Sequence, residues 1–324
     1  MPLLAPSRSW PALVVLLFAG SVPADAGPDP LELSGSTSTS IGSPAHGRLE
    51  GGVPLPLSGP GFRFNPRRDR QARFGTVETV SALMQAAARV HEELPGGELT
   101  VNDLSFEKGG PISQHGSHRS GRDADVLFYL LGPDGSPIPS VGAPLDPEGR
   151  GVDFRDLADP DDDVPVRIDV PRTWRFLQAL LENPDAHLQR IFVVEHLRSI
   201  LLAHARKVDA PREAVRRFAH LTCQPSYPHD DHFHFRFYCT AEDIGAGCED
   251  SLPWYPWHRR HLREAGVTPV RARPRPRARA PKPDVTTHEE AREEAGPMHD
   301  DVVAWLERRK AWLRKPHPGR PYCR

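Results

Sequence analysis

The chain has 324 residues, of which 38% are hydrophobic and 26% charged, and its formal net charge at pH 7 is -2. This length accommodates one sizeable domain with appendages. A net charge so close to zero gives no general basis for nucleic-acid binding, so nucleic acid is not expected as a partner.

Residues 1–26 have the pattern of a secretory signal peptide. Arg8 supplies a positive charge, residues 10–22 form a short apolar run, and residues 24–26 (Ala-Asp-Ala) form a small-residue cleavage site. The apolar run is too short to cross a bilayer comfortably. We therefore expect a mature chain outside the cytoplasm, with no integral membrane segment after cleavage.

The segments that follow the signal peptide predict a fold that mixes helices and strands. Residues 27–60, rich in Gly, Ser, Thr and Pro, are expected to be a flexible lead-in, and residues 61–257 form the main domain. Within it, hydrophobic patterns predict helices over 75–94, 171–181 and 197–205, and strands over 99–106, 123–131, 190–194 and 232–239. The Pro-, Asp- and Gly-rich residues 132–170 predict a long surface excursion. Helices mixed with strands that need not be parallel indicate an α+β fold, with helices packed on a mostly antiparallel sheet.

The composition changes after residue 257. Residues 258–299 form a basic, Pro-rich linker; its segment Arg271–Lys282 has six basic residues, three prolines and no acidic residue. Such a segment cannot bury a core. Residues 300–324 predict an amphipathic helix with a tail, and its apolar stripe is expected to dock on the domain. The stripe consists of Val302, Trp305, Leu306, Trp312 and Leu313.

Four cysteines, at positions 223, 239, 248 and 323, allow three pairings. No C-x2-C pair is present, so disulfides are favoured over a zinc site, and an oxidising compartment permits them. Cys239 and Cys248 enclose a loop short enough to close. That pairing would leave Cys223 with Cys323.

Two histidine-rich clusters lie about a hundred residues apart, at residues 115–125 and 229–234. Alternate side chains of a strand share one face, so Asp125 and His234 can meet if their strands are neighbours. His118 comes from the loop just before Asp125. Two imidazoles and one carboxylate suit zinc and leave a fourth position for water, as in catalytic sites.

A hydrolytic site also needs a group that moves protons. His232 lies on the same strand face as His234, so we assign it the role of base. His229 is near enough to position water or to stabilise an oxyanion. A single H-x-H pattern is weak evidence for a metal site in a chain with sixteen histidines. Two clusters together are stronger evidence, and they make it a poor explanation that these are ordinary surface histidines.

The two clusters resemble the motifs of penicillin-insensitive murein endopeptidases, secreted zinc peptidases related to lysostaphin-type peptidases, D-Ala-D-Ala carboxypeptidases and hedgehog domains. The motif His-x-x-His-x-x-Gly-x-Asp-x-Asp appears at residues 115–125, and His-x-x-His-x-His at residues 229–234. The resemblance covers about residues 38–250 and implies a hedgehog/D,D-peptidase-like zinc peptidase fold.

The resemblance also implies roles for individual residues. The zinc ligands would be His118, Asp125 and His234, with His115 at a position sometimes treated as an additional metal ligand. His232 would be the base and His229 a second active-site histidine. The implied substrate is crosslinked peptidoglycan in the periplasm, cut at D-alanyl–meso-diaminopimelyl bonds, and the basic tail is a candidate contact for the cell wall.

Two alternatives remain open from the sequence. A D,D-carboxypeptidase could use the same site, with Arg119, Arg122 or Arg236 holding the terminal carboxylate of the substrate. A non-catalytic zinc-binding or wall-binding module would belong to a different class of protein. The complete set of three histidines in the second cluster argues against that module.

Overall fold

A computed structural model describes most of the chain, and its described parts are residues 37–225, 227–273 and 295–313, with residues 33, 292, 293 and 323. The predicted signal peptide and most of the predicted basic linker lie outside these residues. Within the described ranges, no helix combines the length and the apolar character that crossing a membrane requires.

The described elements mix strands and helices along the chain, which confirms the predicted α+β class. The strands are β1 (Thr39–Ile41), β2 (Arg48–Glu50), β3 (Val53–Pro54), β4 (Ser58–Gly59), β5 (Phe62–Phe64), β6 (Phe74–Gly75), β7 (Leu99–Val101), β8 (Asp123–Leu127), β9 (Leu130–Leu131), β10 (Pro137–Ile138), β11 (Arg150–Asp153), β12 (Val164–Ile168), β13 (Leu188–Phe192), β14 (Thr222–Cys223) and β15 (His232–Phe237). The helices are α1 (Val77–Glu93), α2 (Val170–Glu182), α3 (Glu195–Lys207), α4 (Arg212–Leu221), α5 (Ala241–Gly245), α6 (Pro256–Glu264) and α7 (Asp300–Leu313).

A seven-stranded sheet forms the centre of the domain, in the order β14-β13-β15-β8-β7-β5-β4. β13 pairs in parallel with β14, and β5 with β7. The other neighbouring pairs are antiparallel, as expected for a mostly antiparallel sheet. The central neighbours β8 and β15 are therefore well inside the sheet, away from its edges.

Helices cover one face of this sheet. Along β15, Phe233, Phe235 and Phe237 are at most 2% exposed. The ring of Phe235 lies 6.0 Å from that of Phe176 on α2. Burying each ring stabilises the fold by roughly 1.5–3 kcal/mol. Because side chains alternate along a strand, the remaining side chains of β15 point to the opposite face.

The described part of the lead-in, from residue 37 on, is folded against the domain, which differs from the expectation of a flexible segment. It carries β1 to β4, and Leu49 and Leu55 are 1% and 0% exposed. Its strands have only two or three residues. Strands so short have little sequence signal of their own, because contacts with distant residues hold them.

Arg122 supplies many of those contacts. Its guanidinium is 1% exposed and donates hydrogen bonds to Ser40 Oγ, to the carbonyl oxygens of Phe237 and Glu249, and to the carboxylate of Asp250. A buried guanidinium needs such acceptors to replace water. Arg122 thereby joins β1 to the segment that follows β15.

Two regions of the chain differ from the sequence expectations. The predicted excursion over 132–170 contains strands β10 to β12, which with β9 form a four-stranded sheet in the order β10-β9-β12-β11. The second region is α4, which the hydrophobic pattern did not indicate, because only Ala214, Phe218 and Leu221 of its residues are buried.

The cysteine pairings expected from the sequence are both formed. Cys239 pairs with Cys248, and Cys223 with Cys323. The second bond joins β14 to the C-terminal segment. α7 also lies on the domain, with Trp305 only 8% exposed and its ring near that of Phe154, so its predicted docking is confirmed.

Candidate metal centre

The polar face of β8 and β15 brings the two histidine-rich clusters together. The antiparallel register places His234 opposite Asp125, and Arg236 opposite Asp123. The predicted meeting of Asp125 and His234 is therefore confirmed. The loop before β8 adds His118, and the loop before β15 adds His229.

Three donor atoms form a compact triangle, which we call the donor triangle. His118 Nε2 lies 3.3 Å from Asp125 Oδ1 and 3.3 Å from His234 Nδ1, and His234 Nδ1 lies 3.1 Å from Asp125 Oδ1. Zinc bonds of about 2.0–2.2 Å place tetrahedral ligand atoms roughly 3.3–3.6 Å apart. The triangle therefore has close to the dimensions required to hold one zinc ion.

A hydrogen bond orients the imidazole of His118 toward this centre, and a facing carboxylate orients that of His234. His118 Nδ1 donates to the carbonyl oxygen of Leu104 at 2.6 Å, which leaves the Nε2 lone pair free. His234 Nε2 lies 3.4 Å from Asp123 Oδ1, so its Nδ1 faces the triangle. Metal-binding histidines generally place their second ring nitrogen against a carbonyl or carboxylate in this way.

Asp125 completes the triangle as a buried anion. Its Oδ1 is buried without a hydrogen bond from any described residue. Burial alone favours the protonated acid, but the neighbouring His118, His232 and His234 lower the pKa of Asp125 well below its usual value. An ionised oxygen in this position is suited to bind a cation.

The backbone at His118 has an unusual conformation. Its φ of 66° lies in the left-handed region, which residues other than glycine adopt uncommonly. The carboxylate of Asp123 accepts a hydrogen bond from its amide at 3.0 Å. Conformations of this kind cluster at functional sites, where the surrounding contacts compensate for the strain.

Asp123 is a residue of the centre that the sequence reasoning did not assign. Its fully buried carboxylate accepts two hydrogen bonds from Arg236, at 2.7 and 3.1 Å, besides facing His234. Burial opposes its ionisation, but Arg236 and His234 lower the pKa of Asp123 well below its usual value. The i, i+2 spacing to Asp125 could have revealed this position, since both side chains share one strand face.

His115 lies beside the donor triangle. Its Nδ1 is 3.6 Å from Asp125 Oδ2, while its Nε2 is 2.9 Å from Asp103 Oδ2. His115, His118 and Asp125 together form a group that could hold a metal ion. Asp103, which is 2% exposed and also pairs with Arg68, was not indicated by any sequence motif.

The two remaining histidines adjoin the triangle. His232 Nε2 lies 3.7 Å from Asp125 Oδ1, and its Nδ1 is 2.7 Å from Asp231 Oδ1. Burial opposes charge on this ring, but Asp231 and Asp125 raise the pKa of His232 to about 9. Burial and the neighbouring imidazoles lower the pKa of His229 to about 3. Adjacent groups with opposite protonation preferences are suited to acid–base chemistry.

The arginines considered for substrate binding have other partners. Arg122 is buried against Asp250, and Arg236 pairs with Asp123 in the centre. Neither guanidinium is free to hold a substrate carboxylate. Of the three candidates, Arg119 alone has no described carboxylate partner.

An α+β domain whose central sheet presents two imidazoles and a carboxylate in this geometry defines a candidate metalloprotein. A family model described as penicillin-insensitive murein endopeptidase matches residues 40–257. The chain belongs to that family. The match ends before α7, so the C-terminal helix lies outside it.

Individual relatives agree with this assignment. Proteins named penicillin-insensitive murein endopeptidase from Klebsiella pneumoniae and Pectobacterium atrosepticum are each 27% identical to this chain, over 74% and 68% of its length. A protein of the same name from Yersinia pestis is 26% identical over 66% of the chain. The matches cover 80%, 75% and 71% of the respective relatives.

Proposed function

We propose that this protein is a zinc D,D-endopeptidase that hydrolyses peptidoglycan crosslinks at D-alanyl–meso-diaminopimelyl bonds. The observation that carries the proposal is the donor triangle of His118, Asp125 and His234, whose edges are 3.1–3.3 Å long. The murein endopeptidase names of the relatives support the substrate class. The predicted signal peptide supports action in the periplasm, and the family resemblance supports a hedgehog/D,D-peptidase-like fold.

The residues of the centre divide the chemistry between them. His118, Asp125 and His234 bind the metal, with His115 beside them as an additional candidate ligand. Zinc bound there supplies a Lewis acid for the scissile carbonyl and for a water molecule.

Proton transfer falls to the histidines next to the triangle. Asp231 holds the ring of His232 at Nδ1, so that Nε2 faces the centre. Asp231 and Asp125 favour the protonated ring, so the ring becomes a base only when a metal ion held by Asp125 offsets part of that effect. The neutral ring would then accept a proton from the attacking water and return it to the leaving amine. His229, whose neutral form is favoured by burial, lies on the same side and stabilises the oxyanion or positions the water.

Two observations favour an endopeptidase over a carboxypeptidase and over a non-catalytic binding module. A carboxypeptidase needs a cation for the terminal carboxylate, and because Arg122 and Arg236 are both committed to buried acids, Arg119 is the one of the three candidates left for that role. A non-catalytic binding module would have no need for His229 and His232 beside the triangle.

Substitution of each ligand tests the proposal. His118→Ala, Asp125→Ala and His234→Ala should each lose zinc, measured by elemental analysis of the purified protein, and lose cleavage of crosslinked muropeptides. His91→Ala, at an exposed position on α1, is the matched control and should keep both properties. Full zinc occupancy in Asp125→Ala would show that the ligand set is wrong, and cleavage of uncrosslinked muropeptides alone would favour the carboxypeptidase.

A further inference from the structure

Helix α7 and Cys323, which we together call the C-terminal segment, contact the loop that carries His229, although both lie outside the family match. We call residues 224–231, between β14 and β15, the histidine loop; residue 226 lies outside the described residues. The loop leads directly into His232 at the start of β15. Its described contacts with the C-terminal segment lie on both sides of His229.

The first contact is a buried ion pair at Asp230. This carboxylate is 0% exposed and accepts hydrogen bonds from Arg309 Nε and a terminal nitrogen of the same guanidinium, at 2.8 and 2.5 Å. The indole nitrogen of Trp312 donates a third bond at 3.2 Å. Since both donors belong to α7, the charge of Asp230 is neutralised within the fold by the C-terminal helix.

The second contact is covalent. Cys323 forms a disulfide with Cys223, the last residue of β14, and its amide donates to the carbonyl oxygen of Gln224, the first residue of the loop, at 3.0 Å. The C-terminal segment therefore holds the loop near residue 223 and again at Asp230.

The loop depends on such contacts for its conformation. His229 has a φ of 53°, in the left-handed region that a residue with a side chain keeps only under constraint. Its carbonyl accepts the amide of Val194 at 3.1 Å, and that of Asp230 accepts the amide of Leu145 at 2.8 Å. Two backbone amides thus report directly on the position of the loop.

α7 is itself fixed to the domain, so it can act as a support. The rings of Trp305 and Phe154 lie 6.5 Å apart, and His299 lies 3.4 Å from the carboxylate of Asp163. The ring of Trp312 lies 6.4 Å from that of His196 on α3. A helix held at several points can set the position of Asp230 through Arg309.

We propose that the C-terminal segment is a strap that positions the histidine loop, with Arg309 as a positioning residue that acts through Asp230 on His229 and His232. The inference rests on the proposed function for its kinetic consequence. Without the guanidinium, a buried carboxylate loses its cationic partner and the loop must move or admit water. A displacement of about 1 Å in a catalytic group can reduce the rate roughly a hundredfold.

The test compares Arg309→Gln with Lys310→Gln in the full chain. Lys310 is the next residue of the same helix, and its side chain is 52% exposed in a pair with Glu307, so Lys310→Gln should behave like the wild type. Hydrogen exchange of the Leu145 and Val194 amides, measured on zinc-free protein, should accelerate at least tenfold in Arg309→Gln. With zinc restored, kcat should fall roughly ten- to a hundredfold, while KM and zinc content stay near the wild-type values.

Two further variants keep the test decisive if Arg309→Gln is poorly folded. Arg309→Lys, which keeps the charge, should recover part of the protection and of kcat. The double variant Cys223→Ser/Cys323→Ser releases the other contact and should accelerate exchange at Val194 without leaving a buried charge unpaired.

If the Leu145 and Val194 amides exchange at the wild-type rate in both Arg309→Gln and the double serine variant, the C-terminal segment does not hold the loop. If these amides exchange faster in Arg309→Gln but kcat is unchanged in an active enzyme, Arg309 is not a positioning residue. If the wild type with zinc cleaves no muropeptide, the proposed function fails, while the exchange measurements still decide whether the C-terminal segment holds the loop.

Discussion

The substitution Asp123→Asn tests how the centre distinguishes a ligand from the group that orients it. Asparagine keeps the size of the side chain but removes the charge that faces His234 Nε2 at 3.4 Å and receives both hydrogen bonds of Arg236. All three side chains of the donor triangle remain in this variant. We therefore expect weakened metal binding, in contrast to the loss expected for Asp125→Ala.

The expected loss of metal affinity follows from the position of Asp123, which faces the ring nitrogen of His234 on the side away from the metal. Removal of a carboxylate that orients a metal-binding histidine typically lowers metal affinity about 10–100-fold. At about 1.4 kcal/mol for each factor of ten, this corresponds to roughly 1.4–2.8 kcal/mol of binding free energy. Arg236 also loses its buried partner, so the free energy of unfolding should fall as well.

Competition with a chromophoric zinc chelator measures the affinity, and circular dichroism at each zinc concentration confirms that the protein is folded. Arg236→Gln is the matched control, because it breaks the same ion pair and leaves the carboxylate in front of His234. Its zinc affinity should change less than that of Asp123→Asn. Two results would refute the reasoning: wild-type affinity in Asp123→Asn, or a loss as complete as in Asp125→Ala.

Three further predictions concern other parts of the molecule. His232→Ala should keep zinc yet lose about 10²–10⁴-fold in kcat, because the base is not a ligand; loss of zinc here and not in His234→Ala would reverse the two roles. Burial and neighbouring imidazoles lower the pKa of His187 to about 4 from 6.5, so the unfolded chain takes up this proton first as the pH falls. His187 thus contributes stability above pH 6.5 that is lost toward pH 4, and urea midpoints at pH 7 and 4.5 should differ less in His187→Asn than in the wild type. Removal of residues 300–324 should leave Asp230 buried without its cation and lower the free energy of unfolding by about 3–5 kcal/mol; an unchanged urea midpoint would support the predicted separation of the C-terminal helix from the domain.

The meeting of the two clusters could be predicted because strand periodicity is rigid. Side chains two residues apart must share a face, so Asp125 and His234 could be expected to meet if their strands were neighbours, although their direct pairing also depends on the register. Their roles as ligands remain predictions. The same rule could have drawn attention to Asp123, but its ion pair with Arg236 depends on the strand register, which the sequence did not specify.

Contacts that cross the fold could not be predicted in this way. Asp103 meets His115 through a loop, and Asp230 meets Arg309 over 79 residues of sequence. No periodicity connects such positions. Strands of two or three residues, such as β3 and β4, are equally difficult to predict, because side-chain partners elsewhere in the chain determine whether they form.

The buried guanidinium of Arg122 also makes closure of the domain depend on segments that are far apart in sequence. Its acceptors include Ser40, 82 residues before it, and Asp250, 128 residues after it. Burial of the guanidinium without these acceptors would be unfavourable, so it stays in contact with water until both segments have docked. Contacts between such distant residues form late, because the entropy of closing the intervening loops has to be overcome first. We therefore expect docking of the lead-in and of the segment after β15 to be one of the last steps in folding.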